Sequence, residues 1–190
     1  VEEHIIGIPG DVFIDHHIEK PEINEVRLAK EFVKFTERCF CRLLGDMRSY
    51  NYVVSVTPDI EDHQYRVRAI DFDQQAYEGD KTLYFPEFFE ENKKVVELCM
   101  KVLEPQTVQQ YQIEERALIS RRLRYTGKQF VKLLNILTKD EISTPEKTLE
   151  LKTGLSEFQR NKDFLKCKTM GEVIQLNLRV QLKKGHSIPL

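Results

Sequence analysis

The residues best suited to chemistry fall between positions 45 and 73. Gly45-Asp46-Met47-Arg48-Ser49-Tyr50-Asn51 places a carboxylate, a guanidinium and an amide in one short run, and Ile70-Asp71-Phe72-Asp73 adds two carboxylates. Phosphoryl transfer from ATP calls for such a set. One carboxylate orients an acceptor hydroxyl and takes its proton, a second holds magnesium against the phosphates, and an amide oxygen completes a second metal site. The catalysis is mostly positioning and charge stabilisation, so these groups must share one rigid edge.

Two kinds of element can build that edge. From Ile23 to Leu44, apolar residues recur at three-and-four spacing (Ile23, Val26, Ala29, Phe32, Val33, Cys39, Phe40, Leu43, Leu44), which predicts a long helix opened by Pro21 and ended by Gly45. After Asn51, the runs Tyr52–Val56 and Tyr65–Ile70 flank a polar turn and predict a β-hairpin. The hairpin returns Asp71 to the loop that carries Asp46 and Asn51.

The rest of the chain must support this centre. Val12-Phe13-Ile14 reads as a short strand after Gly7, Pro9 and Gly10. Pro86, with Glu87, Glu90 and Glu91, predicts a helix start, and Pro105 its stop. Residues 107–125 and 128–138 read as helix on either side of Gly127, and Thr144-Pro145 as another capped start. Ile174, Leu176, Leu178, Val180 and Leu182 alternate with Gln175, Asn177, Arg179 and Gln181, which predicts a half-buried strand. The expected fold class is α+β, mainly helical, with a small catalytic hairpin.

Asp46-x-x-x-x-Asn51 has the spacing of the protein-kinase catalytic loop, and Ile70-Asp71-Phe72 resembles the strand-borne metal-binding Asp of the Asp-Phe-Gly motif. The order of long helix, loop, hairpin and metal Asp also matches. Gly45-Asp46 and Ile70-Asp71-Phe72-Asp73 are closer to aminoglycoside phosphotransferases and related small-molecule kinases. The resemblance covers roughly residues 20–135. It implies a kinase-like C-terminal lobe over 21–143, with 1–20 as the end of an N-terminal lobe and hinge and 144–190 as C-terminal elements of the same domain. It implies Asp46 as catalytic base and Arg48 as a contact to the transferred phosphoryl group. Asn51, Asp71 and Asp73 would hold Mg2+ and, through it, ATP.

The sequence departs from the family in several places. Leu44 stands before Gly45-Asp46 where the family often has His, the interval from Asn51 to Asp71 is long, and Asp73 replaces a Gly. No Gly-rich phosphate loop and no strand Lys with its Glu is present, and the chain opens at Val1 rather than Met. The expectation is a fragment that binds ATP poorly alone, with residues 12–14 covered by a missing N-lobe or a second copy. A non-catalytic, pseudokinase-like C-lobe is the alternative.

Composition sets the outer bounds. The chain has 190 residues, 41 % hydrophobic and 32 % charged, with 29 basic against 31 acidic side chains, which argues against a general nucleic-acid partner. No apolar run approaches the roughly 20 residues that span a bilayer, so no membrane partner is expected. Cys39, Cys41, Cys99 and Cys167 lack zinc spacing and read as buried thiols of a reducing, cytoplasmic setting. Asp15-His16-His17 resembles the Asp-His-His motif of manganese phosphoesterases, but a polar hinge is the simpler reading. Arg116, Arg121, Arg122 and Arg124 read as a solvated helix face with ion pairs. Tyr84, Phe85, Phe88 and Phe89 read as packing rather than a cofactor box.

Overall fold

The structure is a computed structural model and describes residues 6–60 and 62–184. It is mainly helical, with one small antiparallel sheet. In chain order the elements are β1 (Ile8–Pro9), α1 (Gly10–His16), α2 (Glu25–Arg42), β2 (Tyr52–Pro58), β3 (His63–Ala69), α3 (Lys93–Val102), α4 (Pro105–Leu137), α5 (Pro145–Gln159) and α6 (Met170–Lys184). The sheet order is β1-β2-β3, with Ile8 opposite Val54 and Tyr52 opposite Ala69.

α2 is the axis of the molecule. The Asn24 side chain caps it by accepting from Arg27 N–H at 3.0 Å, and Glu25 and Arg42 complement its dipole. Its end lies at Leu43, in the left-handed region at φ 49, two residues earlier than Gly45 suggested. A left-handed leucine is strained, and full burial of its side chain offsets that cost. Leu43 and Leu44 enter different cores. Leu44 joins Phe13, Phe32, Phe35, Tyr52, Val67 and Leu98 under the sheet, while Leu43 joins Phe40, Tyr84, Leu151, Phe164 and Ile174 against α5 and α6.

Both short strand expectations are corrected. Val12–Ile14 lies in α1, where Phe13 and Ile14 turn inward and are 2 % and 5 % exposed. Both are covered by this chain, so of the apolar patch expected there only Val12, 39 % exposed, is left at the surface. Asp15 and His16 are helical rather than a hinge. Ile174–Leu182 lies in α6, whose buried positions Val173, Ile174, Asn177, Leu178, Gln181 and Leu182 have helical spacing. Asn177 is fully buried because its Nδ2 donates to Phe40 O at 2.8 Å and Cys41 O at 3.3 Å, carbonyls of the last turn of α2. Gln159 donates to Asn177 Oδ1 at 2.7 Å, and Gln181 to Gln159 Oε1 at 2.6 Å. These polar partners, not an apolar face, place Asn177 and Gln181 inside.

Other expectations need smaller changes. Pro86 opens a single 3-10 turn, Pro86–Phe88, and α3 starts only at Lys93. Pro105 begins α4 rather than ending α3. The hairpin, the Thr144 cap of α5 and the break at Gly127 are as read from the sequence. All four cysteines are buried free thiols, and burial pushes Cys39 and Cys99 up to about 12. No helix among the described residues is long and apolar enough to cross a membrane.

The open edge of β3 is closed by an ion pair. Glu31 Oε1 accepts from Val67 N–H at 3.1 Å, and Arg38 donates to Val67 O at 3.0 Å and to Glu31 at 2.7 Å. Satisfying both main-chain groups of an edge residue blocks further strand pairing there.

Candidate functional site

The loop after α2 is stitched to the segment after β3. Leu44 bridges Gln75, Gly45 N–H donates to Gln74 O at 3.2 Å, and Ala76 N–H donates to Leu43 O at 2.7 Å. Ile70 N–H also donates to Asn51 O at 3.0 Å. These bonds carry Asp71 and Asp73 back beside Asp46 and Asn51. The hairpin alone would not fix that approach, because it ends at Ala69.

Within the loop the backbone is bent to aim side chains. Asp46 sits at φ 56, a region that Asp tolerates better than most residues. Its carbonyl accepts from Arg48 N–H at 2.8 Å and from Asn51 Nδ2 at 2.7 Å. Met47 is 1 % exposed and anchors the loop in the core. Gly10 allows α1 to lie against the next turn, since a Cβ there would meet Ser49 O at 2.3 Å and the Tyr52 ring at 2.2 Å.

Asn92 clamps the loop from below. It is fully buried, donates to Met47 O at 2.9 Å and to Pro86 O at 2.7 Å, and accepts from Tyr52 Oη at 2.8 Å. Sequence reasoning missed it, because a lone Asn in a polar run carries no local sign of partners as distant as Met47 and Tyr52.

Arg48 lies in a fork that was also not legible. Its Nε donates to Asp46 Oδ1 at 2.9 Å and its Nη1 to Glu91 Oε1 at 2.7 Å. The guanidinium stands 4.8 Å from the Phe89 ring centre. Glu91, then Asp46, hold Arg48 firmly in its charged form, and Glu91 is correspondingly lowered by its own backbone N–H and by Arg48. The Asp46 carboxylate remains about a third exposed.

The second carboxylate group is open to solvent. Asp71 Oδ1 accepts from Asp73 N–H at 3.1 Å in a tight turn. The Asp73 carboxyl is raised above its ordinary value by partial desolvation, then by Asp71, and to a lesser degree by Asp46. Asp71 and, more weakly, Asp46 thus lie near enough to Asp73 to disfavour its charge. Among the described residues, no three His, Cys, Asp or Glu side chains are grouped to hold one ion. An ion here would rest on Asp71, Asp73 and the Asn51 amide oxygen. Asn51 points its Nδ2 at Asp46, and its Oδ1 accepts no hydrogen bond among the described residues. Such a hard-oxygen donor set suits magnesium, which usually takes one or two carboxylates and completes its shell with water and phosphate.

Asp15, His16 and His17 are placed elsewhere. His17 stacks on Phe13 and its Nδ1 accepts from Lys20 Nζ at 3.2 Å, while Asp15 lies 3.4 Å from Lys94. Of the basic stretch, Arg116 pairs with Glu37 at 2.6 Å. Tyr84 and Phe89 are buried and Phe85 stacks on Phe40 at 4.5 Å, whereas Phe88 is 66 % exposed.

Glu87, in the turn that Pro86 opens, gives a pH test. Glu87 is raised chiefly by desolvation, and its Oε2 has no hydrogen-bond partner among the described residues. A carboxyl raised in the fold costs stability once pH exceeds its unfolded value, here about 4.5, and costs nothing below it. Glu87→Gln is expected to raise stability by about 1 kcal/mol at pH 7, and the gain should fade toward pH 4. Urea melts across that range would show it, and a gain equal at both ends would contradict it.

Compared with protein-family models, with curated proteins and with solved structures, the chain matches none.

Proposed function

We propose that this chain forms the catalytic, C-lobe side of a kinase-like phosphotransferase that moves a phosphoryl group from ATP to a hydroxyl, with a small molecule as acceptor. The observation that carries the reading is the approach of Asp46 and Asn51 to Asp71 and Asp73 across the stitched loop. Asp46 stands where it could take the acceptor proton. Asn51, Asp71 and Asp73 would hold magnesium. When bound, that ion neutralises charge developing on the transferred phosphoryl group. Arg48, held charged by Glu91, adds a fixed positive group beside Asp46.

The test is paramagnetic. Mn2+ with about millimolar ATP, added to the 190-residue chain, is expected to broaden the amide resonances of Asn51, Asp71 and Asp73 before any others. Broadening centred elsewhere, such as on His16 and His17, would move the metal away from this edge and defeat the reading.

A second reading, a non-catalytic module, is favoured by one observation. Asp46 Oδ1 already accepts from Arg48, so the carboxylate is engaged within its own loop and only Oδ2 is left for an acceptor proton. Metal and nucleotide binding without phosphoryl transfer in the complete protein would select that reading.

A further inference from the structure

Residues 116–139 contain seven cations and no carboxylate, in a chain of net charge -2. Among the described residues, the expected ion pairs form only at Arg116. Within α4, Gly127 breaks the helix at φ 46 and ψ -120, a conformation that glycine alone adopts freely. The turns beyond it run beside α6 and leave a groove of about 950 Å³. Phe130, Val131, Leu134, Ile136, Leu178 and Leu182 supply its apolar lining. Val131 and Ile136 are 56 % and 47 % exposed, which a water-facing helix has no reason to maintain.

The charge of the groove is one-sided. Arg124, Lys128, Lys132, Lys139 and Arg179 line it, and no Asp or Glu does. None of these five forms a salt bridge among the described residues. We propose that this groove docks an acidic amphipathic helix of a partner protein, its apolar ridge on the aliphatic lining and its carboxylates on the five cations. The shape selects this partner. A concave cleft between two helices accepts the ridge of a third, and Lys128–Leu137 is about 15 Å long, nearly three turns of a partner. A membrane surface would meet a convex face better, and a nucleic-acid backbone would leave the aliphatic lining unused.

The experiment uses the 190-residue chain and fluorescent helical peptides of about five turns. All share one Leu/Ile face, and the opposite face is Glu, Gln or Lys. The Glu-faced peptide is expected to bind at least about tenfold more tightly than the Gln-faced one, with the difference shrinking as salt rises. Lys128→Glu with Lys132→Glu should reverse that order, and Val131→Glu with Ile136→Glu should abolish binding. These four side chains are exposed, so the variants should melt like the parent. Equal affinity for the three peptides would overturn the proposal, as would Glu-faced binding that survives Val131→Glu with Ile136→Glu. Tighter uptake of anionic vesicles or duplex DNA through the same residues would also overturn it.

Discussion

Replacing Asp71 by alanine is expected to abolish magnesium-dependent nucleotide turnover in the complete protein, a loss of at least about a hundredfold. The fold should be unaffected. Asp71 lies at the surface edge after β3, and its side chain holds only its own turn, through Asp73 N–H. If it anchors the ion, its loss should also weaken nucleotide binding. Asp46 should behave differently, because its proposed role faces the acceptor. Alanine is a poor probe there, since the backbone at φ 56 disfavours it. Asp46→Asn tolerates that backbone and removes only the base. Turnover is expected to fall by about 10²-fold or more, with nucleotide affinity largely kept. Single-turnover kinetics with ATP and magnesium would separate the two. Wild-type turnover in both variants would remove these residues from any catalytic role.

Arg38→Met is expected to cost about 3–5 kcal/mol of stability. Arg38 is 7 % exposed and serves three elements at once. It donates to Glu31 and to Val67 O, and its Nη1 lies 3.3 Å from Glu115. Burial pulls the guanidinium down, and the carboxylates of Glu31 and Glu115 more than offset that, so it stays charged. Glu115 is fully buried, and neither of its oxygens makes a hydrogen bond among the described residues. Without Arg38 its charge would be buried and uncompensated, which is why the loss should exceed that of a surface pair. Adding Glu115→Gln to Arg38→Met should recover part of the loss. Urea denaturation of the three proteins would measure it. A loss below about 1 kcal/mol for Arg38→Met would mean that water already solvates this cluster.

The two stability and activity effects draw on one piece of architecture. α2 carries Glu31 and Arg38 to the outer edge of β3, and its end starts the loop of Asp46. The hairpin that brings Asp71 back is therefore fixed from both sides, by the ion pair at its edge and by the backbone stitch at Leu43–Gly45. Asn92 adds the third support, from below Met47.

What the sequence determined by itself has local causes. The six-turn apolar stripe makes α2, the paired β-branched runs make the hairpin, Gly127 breaks α4, and Thr144-Pro145 starts α5. Type and spacing singled out Asp46, Asn51 and Asp71 as candidates, and the family resemblance added Arg48 and Asp73. Tertiary structure decided what no short window contains. Val12–Ile14 is too brief a run to distinguish strand from helix, and inward packing of Phe13 and Ile14 made it helical. Asn177 and Gln181 read as the outer face of a strand, yet they are buried because carbonyls of the last turn of α2 and the side chain of Gln159 bond them. The Arg48–Glu91 contact and the Asn92 clamp likewise join residues more than forty positions apart. Polar burial is set by partners, and partners are chosen by the fold, so the outline of the site was written in the chain and its supports were not.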